Sequence, residues 1–89
     1  MKTIRRIARF TWDVNWLQQQ GKDLEKLESV LASLVKEEGL PPRYRDHVLV
    51  GQYKGTRECH IGPDWLLIYE LSETEILLIR TGSHQGLFR

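Results

Sequence analysis

The chain has 89 residues, of which 40% are hydrophobic and 28% are charged, and its formal net charge is +1. This composition predicts one ordinary globular domain over residues 1–89, and it argues against a disordered chain, a membrane span and a strongly basic nucleic-acid binder. The single cysteine, Cys59, excludes an internal disulfide framework and favours a reducing, cytoplasmic compartment.

The first part of the chain predicts a strand followed by a short helix. Residues 1–10 are rich in isoleucine, arginine and phenylalanine, which is typical of a strand. Thr11 is the predicted N-cap of a helix that carries Trp12 and Trp16 on one side, because these residues are four positions apart. Gly21 is predicted to end this helix.

A clearer helix follows, with Asp23 as its predicted N-cap. Apolar residues recur at three- and four-residue spacing and form one stripe, while charged residues fall outside it. Gly39 and the prolines at 41–42 are predicted to stop the helix, because proline cannot continue it. The stripe consists of Leu24, Leu27, Leu31, Leu34 and Val35.

The second half of the chain predicts three strands joined by tight turns. Residues 53–61 alternate, and this pattern places Cys59 and His60 on opposite faces of a strand. Residues 64–71 are apolar on both faces, as in a central strand, and residues 75–81 form the last strand. The order βααβββ, with a short C-terminal turn or helix, predicts an α+β fold. In it, an antiparallel sheet of about four strands packs against the two N-terminal helices.

All three histidines lie in the second half of the chain, close to charged or aromatic residues. Imidazole titrates near neutral pH and arginine binds anions through a planar fork, so this combination suits a site that moves protons around a phosphate. A small net charge can conceal a local basic cleft. The basic residues in this half include Arg43, Arg45, Lys54, Arg57, Arg80 and Arg89.

Three separated blocks of sequence together resemble the YafQ branch of the RelE/ParE toxin superfamily. They are YRDH at residues 44–47, RECHIGPDWLLIY at 57–69 and RTGSH at 80–84, the last followed by Leu87 and Phe88. The resemblance implies a RelE-like fold and a small toxin of a type II toxin–antitoxin system. Such toxins cut messenger RNA in the ribosomal decoding site and are held inactive by a cognate antitoxin.

The resemblance also implies which residues perform the chemistry. RNA supplies its own nucleophile, the 2′-hydroxyl, so cleavage needs a base, stabilisation of the charged phosphorane and an acid, and no metal or other cofactor is expected. His84 is the expected general acid and Arg80 the expected phosphate clamp. The base is left open between His47 and His60, with Asp64 acting or tuning beside them. Contacts with the substrate are expected from Trp65, Phe88, Arg57 and Lys54.

Several of these residues also have a purely structural interpretation. Arg80 would form a salt bridge along the strand edge with Glu58 or Glu70, and Asp64 would be an ordinary hairpin-turn residue. His84 would be a surface histidine in a C-terminal tail. The tryptophans also have structural alternatives, with Trp65 partly in the core and with Trp12 and Trp16 facing either the core or the antitoxin.

Two other functions compete with that of a ribosome-dependent endoribonuclease. One is a non-nuclease inhibitor of the ParE kind, which binds DNA gyrase, or a catalytically inactive copy that only binds antitoxin. The other is a ribonuclease acting on free RNA, which the net charge of +1 disfavours. The expected partners are the antitoxin, the ribosome and messenger RNA, with no membrane. The chain is expected to be a monomer alone and a hetero-oligomer with its antitoxin.

Overall fold

Five strands and three α-helices make up the computed structural model, which describes residues 1–49, 51 and 55–88. Within these residues, no helix has the length and apolarity needed to cross a membrane. The first half contains β1 (Thr3–Arg6), α1 (Ala8–Gln19), α2 (Leu24–Val35) and a single 3₁₀ turn (Pro42–Tyr44). The second half contains β2 (His47–Val48), β3 (Arg57–Gly62), β4 (Trp65–Leu71), β5 (Glu75–Gly82) and α3 (His84–Phe88).

The five strands form one sheet in the order β1-β5-β4-β3-β2. The α+β prediction is confirmed, and the antiparallel prediction is correct for the β2–β3, β3–β4 and β4–β5 pairs. It is wrong for the fourth pair, because β1 runs parallel to β5, with Ile4 opposite Ile76. Alternation of side chains along a strand carries no information on the direction of its neighbour, so the sequence did not predict this pairing.

The first helix begins earlier than predicted. It starts at Ala8, and Ile7 is its N-cap without a side-chain hydrogen bond, so the predicted cap at Thr11 is wrong and Thr11 lies inside the helix. The strand predicted over residues 1–10 ends at Arg6. The reason is that Phe10, only 1% exposed, packs with Leu17 against the sheet as part of a helical stripe.

Trp12 and Trp16 lie on the outer side of α1. Their exposed fractions are 54% and 50%, so the interpretation of these residues as core-facing is wrong. The predicted end of α1 is confirmed, since the helix stops at Gln19 and Gly21 adopts a left-handed conformation with φ of +85°.

The second helix follows its sequence signals closely. The side chain of Asp23 accepts a hydrogen bond from the backbone N–H of Glu25 at 3.0 Å, which confirms the predicted cap. Leu27 and Leu34 of the predicted stripe are buried, and Val30 is buried beside them. The helix ends at Val35, before the glycine and prolines that were expected to stop it.

Three of the four strands of the second half lie close to their predicted positions, whereas the two-residue strand β2 is not among the predicted ones. β3 begins at Arg57, so the predicted strand is wrong at residues 55 and 56, which precede it without strand structure, and its predicted start at residue 53 lies outside the described residues. A turn at residues 63–64 leads into β4, and α3 begins at His84, which confirms a short C-terminal helix.

Two apolar clusters hold the sheet from opposite faces. The larger one joins α1 and α2 to Cys59, Ile61 and Leu67 of the sheet. The smaller one joins Leu66 and Ile68 to α3 on the other face. The strand β4 is therefore covered on both sides over residues 65–69, whereas the prediction of a covered strand over residues 64–71 is wrong at its ends, because Asp64 lies in the turn and Glu70 and Leu71 are exposed. Burial of this apolar surface is the main force that fixes the hairpins and, with them, the positions of the histidines.

Candidate active site

Two cavities meet at Asp64, in the turn between β3 and β4. The first has a volume of about 530 Å³, and its wall includes Lys26, Arg43, Arg45 and His60. The second has a volume of about 310 Å³ and lies between α1 and the ends of β4 and β5. Arg43 and Arg45, two of the residues expected in a local basic cleft, line the first cavity together with Lys26, in a chain with a net charge of only +1.

His60 is fixed by polar groups on both sides of its ring. A guanidinium nitrogen of Arg45 lies 3.2 Å from its Nδ1, and the carboxylate of Glu58 lies 3.3 Å from its Nε2. Arginine can only donate, so Nδ1 accepts and, in the neutral ring, Nε2 carries the proton, with the Glu58 carboxylate nearby. This arrangement fits the neutral form of the imidazole and occupies both of its nitrogens.

The pKa of His60 is lowered from its ordinary value of 6.5. The main cause is partial burial, which disfavours the charged ring, and the positive charge of Arg45 acts in the same direction. Glu58 opposes the shift, while His47 and His84 add to it. This shift favours the neutral form of His60, and His47 and His84 lie close enough to influence it electrostatically.

An NMR titration of the imidazole carbons should give His60 a pKa below 6.5 in the folded chain. The variant Arg45→Gln should raise this pKa because it removes a nearby positive charge, and Glu58→Gln should lower it further. Because folding lowers this pKa, the unfolded chain takes up the proton at a higher pH than the folded chain does. The stability that neutral His60 contributes is thus complete above pH 6.5 and is lost as the pH falls through the folded-state pKa. A pKa at or above 6.5 would contradict this description of the site.

His47 presents one ring nitrogen to solvent. Its Nδ1 lies 2.6 Å from the backbone carbonyl oxygen of Arg45, which can only accept, so this nitrogen carries the proton. Arg45 adopts a left-handed conformation, with φ of 47°, that helps to aim the carbonyl. Among the described residues, no hydrogen-bond partner is found for Nε2, which keeps a lone pair when the ring is neutral. The ring centroids of His47 and His60 are 6.5 Å apart.

His84 is the exposed first residue of α3. Its backbone N–H donates to a carboxylate oxygen of Asp64 at 3.0 Å, so Asp64 positions the start of this helix. The ring of His84 lies 5.0 Å from that of Phe88, which packs against the smaller apolar cluster. Asp64 is thus both a turn residue, with φ of 50°, and the group that positions His84.

Arg80 is held by a carboxylate of the first helix. Its Nε and one terminal nitrogen donate to the two oxygens of Asp13 at 2.7 and 3.2 Å, and the backbone N–H of Thr81 donates to the same carboxylate at 3.2 Å. Asp13 is only 4% exposed, and Arg9 approaches it at 3.5 Å. Arg80 therefore forms a salt bridge, as its structural interpretation predicted, but the partner is Asp13 rather than Glu58 or Glu70. Arg80 lies in the wall of the second cavity.

Arg57 is not brought to the histidines. It lies two residues before buried Cys59 and so on the helix-facing side of β3. There it donates to Asp46 at 3.3 Å, and Tyr69 donates to the same oxygen at 2.7 Å. The hydrogen bond to Asp46 raises the pKa of the Arg57 guanidinium. Lys54, the other cation expected at the substrate, lies outside the described residues.

Trp65 is a wall of the second cavity and a core residue at once. It is 3% exposed, its indole N–H donates to the Thr81 hydroxyl at 3.0 Å, and the ammonium of Lys22 lies 5.7 Å from its ring. Phe88 is half-buried beside His84. Trp65 and Phe88, the aromatic residues expected to contact the substrate, therefore lie at the edge of the site, with Trp65 buried and Phe88 half-buried.

Cysteine chemistry is not favoured at this site. Cys59 is fully buried, and burial raises the pKa of its thiol to about 12. It lies in the larger apolar cluster, away from the cavity that His60 lines, as the alternation of β3 predicts. Among the described residues, no three histidine, cysteine, aspartate or glutamate side chains come together in a way that would hold a metal ion.

A toxin of a type II toxin–antitoxin system is the class of protein to which this fold and sequence correspond. The family model for "Bacterial toxin of type II toxin-antitoxin system, YafQ" matches residues 2–89. The chain belongs to the YafQ family, as its sequence blocks predicted.

Proteins similar to this chain include toxins from Escherichia coli and Helicobacter pylori. The mRNA interferase toxin YafQ of Escherichia coli K12 is 39% identical over 82 residues, which cover 91% of this chain and 89% of that protein. The toxin in the crystal structure of the E. coli DinJ–YafQ complex is 37% identical, with both chains covered completely and a TM-score of 0.92. A metal-bound toxin from Helicobacter pylori is 42% identical, with 99% and 100% of the two chains covered and a TM-score of 0.91.

Proposed function

We propose that this chain is an mRNA interferase, an endoribonuclease that cuts messenger RNA on the ribosome and is neutralised by a cognate antitoxin. The observation that supports it most is the grouping of His47, His60 and His84 beside a cationic cavity, in a chain similar to a protein named an mRNA interferase. A pure inhibitor of gyrase has no need of such a group of titratable side chains.

His47 is the proposed general base. Its Nδ1 proton is committed to the Arg45 carbonyl, so Nε2 can accept a proton from the 2′-hydroxyl of the bound RNA. The 2′-oxygen then attacks the adjacent phosphorus and forms a 2′,3′-cyclic phosphate. His60 is less suited to this role because both of its ring nitrogens already have partners.

His84 is the proposed general acid. When the bond from phosphorus to the 5′-oxygen breaks, the leaving oxygen needs a proton, and an exposed imidazole on a helix positioned by Asp64 can supply it. Charge on the phosphorane would be stabilised by cations that are already oriented. These are Arg45, which contacts His60, and Arg80, which Asp13 holds. No step requires a bound metal ion.

The ribosome is proposed to supply much of the substrate positioning. A chain with a net charge of +1 releases few counterions on binding RNA, so its affinity for free RNA should be weak and dependent on salt. The first cavity, which His60 lines, is open to solvent, which suits a substrate held by another particle.

An antitoxin is the proposed protein partner. The E. coli relative has been crystallised with DinJ, in a complex whose toxin has a TM-score of 0.92 with this chain. We propose that this chain is likewise a monomer alone and forms a hetero-oligomer with its own antitoxin in the cytoplasm.

Induced expression of this chain should arrest growth and generate new transcript ends inside reading frames. Mapping of 5′ ends across the transcriptome after induction is the measurement, and co-expression of the antitoxin should suppress both effects. The His84→Gln variant, expressed at the same level, is the control that should leave transcripts intact. Growth arrest with intact transcripts and trapped gyrase–DNA complexes would instead support the ParE-like alternative.

A further inference from the structure

The outer side of α1 carries two exposed tryptophans that the acid–base mechanism does not use. Trp12 and Trp16 are 54% and 50% exposed, and their rings are nearly parallel, with centroids 6.1 Å apart and planes inclined by 8°. The guanidinium of Arg9 lies over Trp12 at 4.7 Å, so the three side chains form one stack along the helix. Such large exposed aromatic surface on a small domain marks a site of interaction.

We propose that this stack binds an unpaired base of the substrate RNA strand, next to the position at which the strand is cut. The Arg9 guanidinium lies over the Trp12 ring, and the Trp16 ring is nearly parallel to that of Trp12. Among the described residues, no ring other than Trp12 and no cation stacks on Trp16, whose side of α1 is exposed and can accept a further flat partner. Every nucleobase has a flat π-face, so an exposed indole binds it without selecting the sequence.

The position of the stack places it on the path of the RNA. Trp12 and Trp16 line the second cavity together with Asp64, and Asp64 also lines the first cavity, where His60 lies. A strand that crosses the turn at Asp64 therefore meets the histidines on one side and the tryptophans on the other. The volume of about 310 Å³ is at the lower end of the range of small-ligand sites, as a single nucleotide requires.

The charges around the stack favour a polyanion. Lys22 lines the same cavity, and Arg9 lies at the start of the stack. Of the carboxylates in the cavity wall, Asp13 is compensated by Arg80 and Arg9, and Asp64 accepts the backbone N–H of His84. The wall thus carries three cations, Arg9, Lys22 and Arg80, against two carboxylates, so a phosphate beside the bound base would meet a small excess of positive charge.

A protein partner fits this face less well than RNA does. An amphipathic helix docks its side chains into an aliphatic groove, and the chain has such a groove elsewhere, lined by Ile4, Leu31, Ala32 and Val35. The outer side of α1 instead offers two parallel rings with the Arg9 guanidinium against one of them, which is the pattern of a platform for single-stranded nucleic acid.

The test is binding of a short 2′-O-methyl oligoribonucleotide, which lacks the nucleophile and cannot be cut. At low salt, it should quench tryptophan fluorescence, because Trp12 and Trp16 are exposed while Trp65 is buried. Trp16→Ala should weaken binding about 5- to 100-fold, and Trp16→Phe should restore most of the loss. Removing one base from the oligonucleotide should weaken binding to the wild-type chain and not to Trp16→Ala.

Leu71→Ala is the matched control, since it removes an exposed apolar side chain at the far end of β4. Three results would overturn the proposal: no binding by the wild-type chain, unchanged RNA affinity in a folded Trp16→Ala variant, or a loss of antitoxin affinity with RNA affinity unchanged. The last result would show that the outer side of α1 binds the antitoxin.

The inference rests on the proposed RNA substrate, but different results would contradict the inference and the proposed function. Cleavage by the wild-type chain with no effect of Trp16 on RNA binding removes only the inference, whereas absence of cleavage removes the proposed function.

Discussion

Replacing His84 with glutamine should slow single-turnover cleavage of messenger RNA on programmed ribosomes by a factor of about 10² to 10⁴, the usual contribution of general acid–base catalysis. Glutamine keeps some hydrogen bonding and cannot deliver a proton to the leaving 5′-oxygen. The fold should be preserved, because Asp64 contacts the backbone N–H of residue 84 rather than its ring. Binding to the ribosome should therefore change little. The variant should instead show a lower rate of cleavage even when the ribosomes are saturated with toxin.

Gln85→Ala is the control for this variant, because Gln85 is the exposed neighbour of His84 on the same short helix. It should cleave like the wild-type chain. A loss of less than about threefold in His84→Gln would be too small for general acid catalysis and would move the acid role to His47 or His60.

Replacing Asp13 with alanine should destabilise the fold by about 3–5 kcal/mol, the usual cost of removing one partner from a buried ion pair. Asp13 is 4% exposed, and its loss leaves the Arg80 guanidinium, whose side chain is 17% exposed, without this carboxylate. The backbone N–H of Thr81 loses its acceptor in the same variant. Equilibrium unfolding in urea or guanidinium is the measurement.

Asp23→Ala serves as the comparison, since it removes an exposed helix cap and should cost only about 1 kcal/mol. If the two variants lost similar stability, the ion pair between α1 and β5 would not be important for the fold. Asp13→Asn keeps an acceptor oxygen and is the better variant for kinetics. It should lower the cleavage rate while the chain stays folded, because Arg80 would be less firmly oriented.

Local sequence signals predicted the parts of the fold that depend on local interactions. The second helix has a capping aspartate and one apolar stripe, and β4 is apolar on both faces, so each element could be located from its own residues. The start of α1 was missed because Phe10 continues an apolar segment that also fits a strand. Its helical conformation follows from packing against the sheet, which is a tertiary effect.

The residues of the candidate site could likewise be predicted from the sequence only in part. The resemblance identified the histidines, Asp64 and Arg80 by position, but it did not predict the groups that orient them. Asp13 is 67 positions from Arg80 in sequence, and the pair meets only because β1 and β5 bring α1 onto the end of the sheet. The proposed division of roles between His47 and His60 likewise depends on which ring nitrogens have partners, and hydrogen-bond geometry alone supplies that information.

The central claim is that this chain cuts messenger RNA by using the RNA's own 2′-hydroxyl. It is tested most directly on programmed ribosomes that carry a message with a single 2′-deoxy residue immediately 5′ of the mapped cleavage point. The all-ribose message should be cut and should end in a 2′,3′-cyclic phosphate, and the 2′-deoxy message should stay intact at that position. Cleavage of both messages, or a product ending in a 3′-hydroxyl with a 5′-phosphate on its partner, would contradict the account.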